Sequence, residues 1–401
     1  MSDPSRATPR GAVWAAPGMR PLLTMTALGF AGVSALLPAA PLWARHIGAD
    51  EGGAGLVNAV LMLATVAFQT MVPWALRTAG WRVTLAIGLV LLGLPSAFFA
   101  LATTLPAVLA LSAVRGAGFA VLTVCGASAV AHLVAPSHRG RAIGAYGLSI
   151  ALPQVVLVPV APLVAEQLGF GIVFAFGALP VLAVPFAMAL GARIDGRVPD
   201  AAEPSSSPTG RAVLALLVPA IVLLAVTTPG GALVTFAPQL PFDAVITTLG
   251  LLALTGIAAF CRWLAGGLAD RYGPHRFVWP LLVLCAAALA LVSWAIASGS
   301  PAALIVGMLG VGIAYGALQN LTLVISFSVV PSRMRDTAST VWNIGFDAGT
   351  GLGSLAVGFI AAGTSFGVAF LITAALALVV AAITAARLVA ATARARRAPG
   401  E

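Results

Sequence analysis

The chain has 401 residues, of which 60% are hydrophobic and 8% are charged, whereas soluble domains have about 45–50% apolar and about 25% charged residues. This excess of apolar residues excludes a soluble fold and predicts that lipid forms part of the solvent. The net charge of +9 is the difference between 21 arginines, with no lysine, and 12 acidic residues. The arginines lie singly or in pairs between apolar runs, which excludes a nucleic-acid interface because such an interface needs clustered charge.

The first apolar run extends from about Pro21 to Trp43 and follows Arg6, Arg10 and Arg20. It is longer than the apolar core of a signal peptide and lacks a small-residue cleavage site, so we interpret it as an uncleaved first span. A spanning helix needs about 20 apolar residues, and the sequence predicts an all-α membrane protein with twelve such helices. The predicted spans cover residues 21–44, 53–75, 82–103, 106–134, 140–165, 169–191, 211–238, 244–268, 276–298, 301–330, 336–362 and 365–389.

Arginine placement predicts the orientation of the spans, because loops on the cytoplasmic side carry an excess of Lys and Arg. With the N-terminus inside, nineteen arginines fall in cytoplasmic segments, Arg45 falls in an outer loop and Arg115 lies within a span. Both termini are therefore predicted to be cytoplasmic. The absence of lysine, with abundant Ala, Gly and Val, indicates a GC-rich bacterial genome, so we expect a multi-pass protein of the bacterial plasma (inner) membrane.

Residues 191–211 form the one long hydrophilic stretch and are predicted to be a flexible cytoplasmic linker. They separate an N-terminal six-helix bundle, 1–190, from a C-terminal one, 212–401. Three sequence matches recur in the same order in both halves at an offset of about 193–200 residues, which favours duplication of a six-helix unit. The matches pair Pro38-Ala-Ala-Pro41 with Pro238-Gln-Leu-Pro241, Gly80-Trp-Arg82 with Gly273-Pro-His-Arg276, and Pro136-Ser137 with Pro331-Ser332.

The loop after predicted span 8 carries the strongest motif, Gly266-Gly-Leu-Ala-Asp270-Arg271-Tyr-Gly273. It resembles the Gly-x-Leu-Ala-Asp-Arg-x-Gly loop signature of the major facilitator superfamily (MFS), and the twelve spans with parallel repeats agree with that resemblance. The resemblance implies the MFS fold and implies that Asp270 latches the two halves at the cytoplasmic face in the outward-open state. The alternative is an ordinary polar loop that only turns the chain.

The equivalent loop after predicted span 2 departs from the family pattern. It keeps Gly80 and Arg82, but Arg77 stands where the family has Asp. A charge–dipole contact of the same kind cannot form there. We therefore expect the latch to depend on Asp270, acting against the start of predicted span 5 near Gly140.

Arg115 and the residues after it resemble the family's helix-4 motif, an Arg followed by Gly-rich packing. Arg115 lies about ten residues past Pro106, which places it about 15 Å deep. Such a charge usually has a role inside the bundle; the alternative is that Arg115 snorkels towards a helix end. The proton-coupled exporter motif of helix 5 is degraded, because Pro153 is present but Leu152 replaces the preceding Gly, so it favours export only mildly.

Asp347 is the only acid deep within a predicted span, about 18 Å past Arg335. A membrane-embedded acid is a candidate proton relay, and Asn343 shares its helix face. We predict proton coupling or a midplane charge at Asp347 and Arg115. The alternatives are a structural Asp347 paired with Arg115 or hydrogen-bonded to another helix.

Neutral polar residues could line a central substrate cavity, although each one alone is more often a helix–helix hydrogen bond. Because most of them are neutral, a strongly anionic substrate is not favoured. The densest group lies in predicted span 10. The candidates are Asn58, Gln69, Gln154, Thr227, Thr228, Thr235, Tyr315, Gln319, Asn320 and Asn343.

The sequence predicts a secondary transporter without a cofactor. It has no phosphate-binding loop, no metal-ligand spacing and no paired carboxylates or Ser/His set, which argues against an ATPase or an enzyme. We expect a monomer that exports a drug-like or natural-product compound in exchange for protons. The alternatives are uptake or efflux of a sugar, amino acid or other metabolite, and a scaffold without flux.

Overall fold

A computed structural model describes residues 17–134, 139–195, 210–331 and 334–397. Within these ranges the chain is almost entirely helical, without strands, and twelve helices are long and apolar enough to cross a membrane. The twelve predicted spans are thus confirmed. The helices are α1 Met19–His46, α2 Glu51–Gln69, α3 Val72–Ala97, α4 Leu105–Leu133, α5 Arg139–Leu168, α6 Phe170–Asp195, α7 Gly210–Phe236, α8 Ala244–Tyr272, α9 His275–Ser298, α10 Pro301–Ser328, α11 Arg335–Gly363 and α12 Phe366–Arg397.

Prolines interrupt α6, which consists of three consecutive helical segments. These are Phe170–Gly177, Leu179–Leu182 and Val184–Asp195. Pro180 and Pro185 follow the two breaks closely, and each removes a backbone N–H and crowds the preceding turn. The helix ends at Asp195 and α7 begins at Gly210. Most of the predicted linker, residues 196–209, lies outside the described residues.

A proline also ends α2 earlier than predicted. Pro73 lacks the N–H that would bond to the carbonyl of Gln69, and its ring crowds that carbonyl, so the regular helix stops at Gln69. The chain then continues in helical form to Gly80, which has φ 76° and ψ 172°. The second span therefore reverses direction at Gly80, with a bend at Pro73 in its interior.

The structure shows a similar backbone conformation at one predicted match and adds a second match, and both have an offset of 193 residues. Gly273 follows α8 with φ 81° and ψ 140°, close to the conformation of Gly80. Asp50 caps α2 by accepting a 2.7 Å hydrogen bond from the Gly53 amide, and Asp243 caps α8 by accepting one of 2.8 Å from Val245. The repeat thus extends to turns and helix caps.

The buried apolar residues separate by half of the chain. Two clusters lie within the first half, and a third belongs to the second half except for Ala54 and Val158. Ala54 lies near the start of α2, and Val158 lies ten residues, about 15 Å, before the end of α5. We call the end of the bundle where α1 begins the arginine-rich face, since Arg77, Arg271 and other arginines lie there, and the opposite end the arginine-poor face. The apolar contact between halves thus extends from the arginine-poor face at Ala54 to about mid-depth at Val158.

Candidate functional site

Buried hydrogen bonds connect the two halves towards the arginine-poor face. The Asn58 side-chain amide of α2 donates to the Thr235 hydroxyl of α7 at 2.9 Å and to the Leu37 carbonyl of α1 at 2.7 Å. Thr235 shares a further 2.8 Å hydrogen bond with Ser354 of α11. Asn58 was predicted as a cavity residue, and its observed contacts are helix–helix hydrogen bonds.

The backbones of α2 and α11 also approach closely near this face. A Cβ at Gly55 would overlap the Ser354 carbonyl, and one at Gly358 would crowd the Glu51 carbonyl. Only glycine permits such close approach of two membrane helices. The halves are therefore packed backbone against backbone at the arginine-poor face.

The predicted latch lies apart from other groups at the arginine-rich face. Asp270 is exposed, and within the described ranges it forms no hydrogen bond or ion pair. Arg271 places its guanidinium 5.1 Å from the Tyr272 ring centroid. The expected contact point, Gly140, lies in the first turn of α5, and its surroundings are outside the described part of the structure. The halves are thus closely packed at the arginine-poor face, while none of the described residues bonds to Asp270 at the arginine-rich face.

Asp347 bridges the halves near mid-depth. It is 4% exposed, and the Gln69 side-chain amide of α2 donates to its carboxylate at 2.7 Å. Gln69 lies about 16 Å along the helix from the turn at Gly80, and Asp347 about 18 Å from the start of α11, so the two are at similar depths. Of the structural alternatives considered for Asp347, the observed contact is a hydrogen bond to another helix.

A basic side chain lies at a similar depth on α8. Arg262 is ten residues before the end of α8 at Tyr272, hence about 15 Å from the arginine-rich end. Its side chain is exposed, and it donates a 3.1 Å hydrogen bond to the side-chain oxygen of Gln319 on α10. Tyr315 and, from the first half, Tyr146 lie within electrostatic range. We interpret the region between Tyr146, Arg262, Tyr315 and Asp347, where groups of both halves come within electrostatic range, as the candidate solute site and call it the central cavity.

Aromatic side chains form one wall beside this polar group. Tyr315 and Phe346 have ring centroids 6.2 Å apart, and Phe346 stacks on Trp342 at 5.7 Å with an interplanar angle of 23°. The Trp342 indole N–H donates to Thr322 at 3.0 Å, which fixes the ring. Asn343 is half-buried one turn before Asp347 on the same face.

Arg115 is not part of the central cavity. It is 1% exposed, and its guanidinium carbon lies 5.6 Å from the ring centroid of Phe99, just after α3. Its Nε and Nη2 have no hydrogen-bond partner among the described residues. The structure therefore does not bring Arg115 to Asp347, and Arg115 is enclosed within the first half.

The remaining candidates are dispersed. Thr228 is buried where α7 meets α11, and Gln154 is half-buried on α5. Asn320 lies close to Gly266 between α8 and α10, and its side-chain oxygen has no partner in the described ranges. Gln319 is buried at 4% exposure and bonded to Arg262.

Arg262 was not predicted as a site residue, because it was counted among the nineteen cytoplasmic arginines, with the loop after span 8. Predicted span 8 ended at residue 268, six residues past Arg262, so the residue fell inside the predicted helix and was still counted with the loop. The turn glycine provided the missing signal. Counting back eleven residues from Gly273 places Arg262 about 16 Å up the helix, as deep as Arg115.

The family model described as Major Facilitator Superfamily matches residues 22–344 and 264–401. The chain belongs to the Major Facilitator Superfamily. It is therefore a multi-pass membrane transporter and not an enzyme. No curated protein sequence matches this MFS transporter significantly.

Solved structures share the fold over nearly the whole chain. A D-xylose-proton symporter has a TM-score of 0.72 at 15% identity, covering 90% of this chain and 95% of that chain. A bacterial homolog of the human lysosomal transporter Spinster, inward-facing and unoccupied, has a TM-score of 0.73 at 15% identity, covering 92% and 95%. The inward open xylose transporter XylE from E. coli has a TM-score of 0.70 at 14% identity, covering 90% and 94%.

Proposed function

We propose that this MFS transporter exports small, largely apolar compounds of the drug or natural-product class from a bacterial cell in exchange for protons. The observation that carries the proposal is the Gln69–Asp347 hydrogen bond. It joins an acid to the opposite half of the transporter, near mid-depth, at 2.7 Å. Ionisable groups at such depth are costly and usually belong to an ion or substrate pathway.

The chemistry of this pair suits a proton carrier. A carboxylate accepts the N–H of the Gln69 amide, and a protonated carboxyl could donate to the amide oxygen instead. The Gln69 side-chain oxygen is buried without a partner among the described residues, so this acceptor is free. Asp347 forms no ion pair in the described ranges, where the one ion pair joins Arg45 and Glu51 at 2.9 Å. Either protonation state of Asp347 can therefore be satisfied without moving a fixed cation.

Alternating access accounts for the difference between the two faces. We propose that the arginine-rich face is cytoplasmic, in accordance with the positive-inside rule. The described conformer, with its arginine-poor face closed and Asp270 free, would then exchange solute with the cytoplasm. In the opposite conformer Asp270 would engage the first half and the Asn58–Thr235 contact would break. The two halves would rock against each other around the depth at which Gln69 and Asp347 lie.

The second candidate is proton-coupled uptake of a sugar or another metabolite. One structural neighbour is named a D-xylose-proton symporter, and a Gln–Asp bridge would serve symport as well as antiport. The degraded helix-5 motif at Pro153 favours export over this candidate. The sign of compound-dependent proton movement separates the two.

Everted membrane vesicles with an acidified interior provide the test. Chloramphenicol, ethidium and 2-naphthoate represent neutral, cationic and anionic compounds, and a pH-sensitive acridine dye reports the gradient. Export predicts that at least one compound collapses the gradient with wild-type protein and not with Asp347→Asn, while both proteins insert at equal levels. If no compound collapses the gradient, or if Asp347→Asn responds as wild type does, the proposal fails.

A further inference from the structure

Arg262 is a cation without an anionic partner on the wall of the central cavity. The described residues supply no ion pair to it, and its one hydrogen bond goes to the neutral side chain of Gln319. A guanidinium has five N–H donors, so most of its donors remain free. An unpaired cation at this depth is expensive unless it faces water or a ligand, and its exposed side chain fits that condition.

The neighbours of Arg262 orient it instead of neutralising it. Gln319, 4% exposed, accepts from one terminal nitrogen at 3.1 Å and holds the planar group in place. Tyr315 and Tyr146 lie within electrostatic range, and each can donate a phenolic O–H to an anion. Asp347 bonds to Gln69 and not to Arg262. The guanidinium therefore retains a free edge suited to a two-oxygen acceptor.

The aromatic side chains beside Arg262 indicate the chemistry of the part of the ligand that does not bind the guanidinium. Tyr315, Phe346 and Trp342 follow one another with centroid separations of 6.2 and 5.7 Å, beginning at the tyrosine beside Arg262. Flat apolar rings pack favourably on such a surface. The combined surface offers one fixed cation next to a strip of rings.

We infer that the transported compounds are aromatic organic anions, whose carboxylate binds Arg262 while the ring packs on Tyr315 and Phe346. This inference rests on the proposed transport function and narrows its substrate class. A strongly anionic substrate was not favoured from the sequence, where Arg262 was counted with the loop. The inference revises that expectation. Gln319 acts as a positioning residue that holds the guanidinium.

Equilibrium binding to purified wild-type protein tests the inference without any pH gradient. The probes are matched acids and amides of the same shape: benzoate with benzamide, 2-naphthoate with 2-naphthamide, and salicylate with salicylamide. Ligand-induced thermal stabilisation gives apparent affinities. Because a hydrogen-bonded charge pair is worth about 1.5–3 kcal/mol, at least one carboxylate should bind wild type about ten-fold or more tightly than its amide.

Variants separate charge recognition from loss of folding. Arg262→Gln should bind a preferred acid and its amide equally, and Arg262→Lys should keep a reduced preference because it retains the charge without the planar fork. Arg276→Gln is the matched control, since Arg276 is exposed at the start of α9 and its loss should leave the preference unchanged.

Three results would overturn the inference: no acid preferred over its amide in wild type, a preference that persists in Arg262→Gln, or an equal loss in Arg276→Gln. Binding is measured with Asp347 intact and without a pH gradient, so the result does not depend on proton exchange. If the binding prediction at Arg262 fails, the proposal of proton coupling is therefore not affected. If proton coupling fails, the binding result at Arg262 is likewise not affected.

Discussion

The two halves of the transporter each contain an arginine about 15 Å deep, and the two residues have different surroundings. Arg115 in the first half is 1% exposed and packs on Phe99. Arg262 in the second half has an exposed side chain bonded to Gln319. The depth of a charged side chain in the membrane therefore does not by itself assign a role to it. The direction and partners of the side chain decide whether it can meet a solute.

The same asymmetry extends to the other polar groups. The second half supplies Asp347, Arg262 and the exposed Asp270, whereas Gln69 is the first half's hydrogen-bonding contribution to Asp347. The helix caps and turn glycines, in contrast, are matched between the halves. The duplication thus preserved the framework, while the chemistry of the cavity is concentrated in the second half.

Apart from Asp347 itself, the largest effect is expected at Gln69, the first half's contact with the coupling acid. Gln69→Leu removes the buried donor to Asp347, a hydrogen bond to a charged group worth about 1.5–3 kcal/mol. We expect pH-gradient-driven flux to fall about ten-fold or more. Flux of the most responsive compound in proteoliposomes is the measurement. Gln167→Leu, at the exposed end of α5, is the control, and unchanged flux in Gln69→Leu would show that the first half does not share in coupling.

Sequence reasoning could predict the framework because it depends on composition and local chemistry. The number of spans followed from apolar length, and the turn at Gly273 from its motif. The direction in which a side chain faces could not be predicted in the same way. Arg115 and Arg262 are equally deep, and only the packing of α3 against α4 and of α8 against α10 determines that one meets Phe99 and the other Gln319. Pro73 in the sequence indicates the early end of α2. The contact of Gln69 with Asp347 could not be predicted, because it joins residues 278 positions apart.

A smaller effect is expected from the two loops that differ in charge. Asp270→Asn removes the acid of the second-half latch and should disfavour the conformer closed at the arginine-rich face, so flux should fall about three- to ten-fold, since such charge–dipole contacts contribute about 0.3–2 kcal/mol. Arg77→Asn, at the equivalent position 193 residues earlier, should change flux less than about two-fold by the same reasoning. Distances between spin labels across that face would report the shift in conformers. Equal effects of the two substitutions would remove the asymmetry between the loops.

The smallest effect on transport is expected at Arg115. Two of its guanidinium nitrogens are unpartnered within the described ranges, so an apolar side chain of similar volume removes their burial cost and leaves no partner charge behind. Replacing even a buried ion pair in this way is often neutral or stabilising by about 1–4 kcal/mol. Arg115→Met should therefore raise or preserve the melting temperature and leave the acid preference of the cavity unchanged. Thermal unfolding and probe binding measure both. A loss of gradient-driven flux in folded Arg115→Met protein would instead assign the coupling role to the first half.

We propose that Asp347 couples transport to the movement of protons. Counterflow in proteoliposomes tests this proposal most directly. Counterflow measures exchange of labelled for unlabelled compound without a gradient, whereas accumulation driven by a pH gradient requires coupling. Asp347→Asn should retain counterflow and lose gradient-driven accumulation. Accumulation at the wild-type level, or the loss of counterflow in correctly folded protein, would contradict the account.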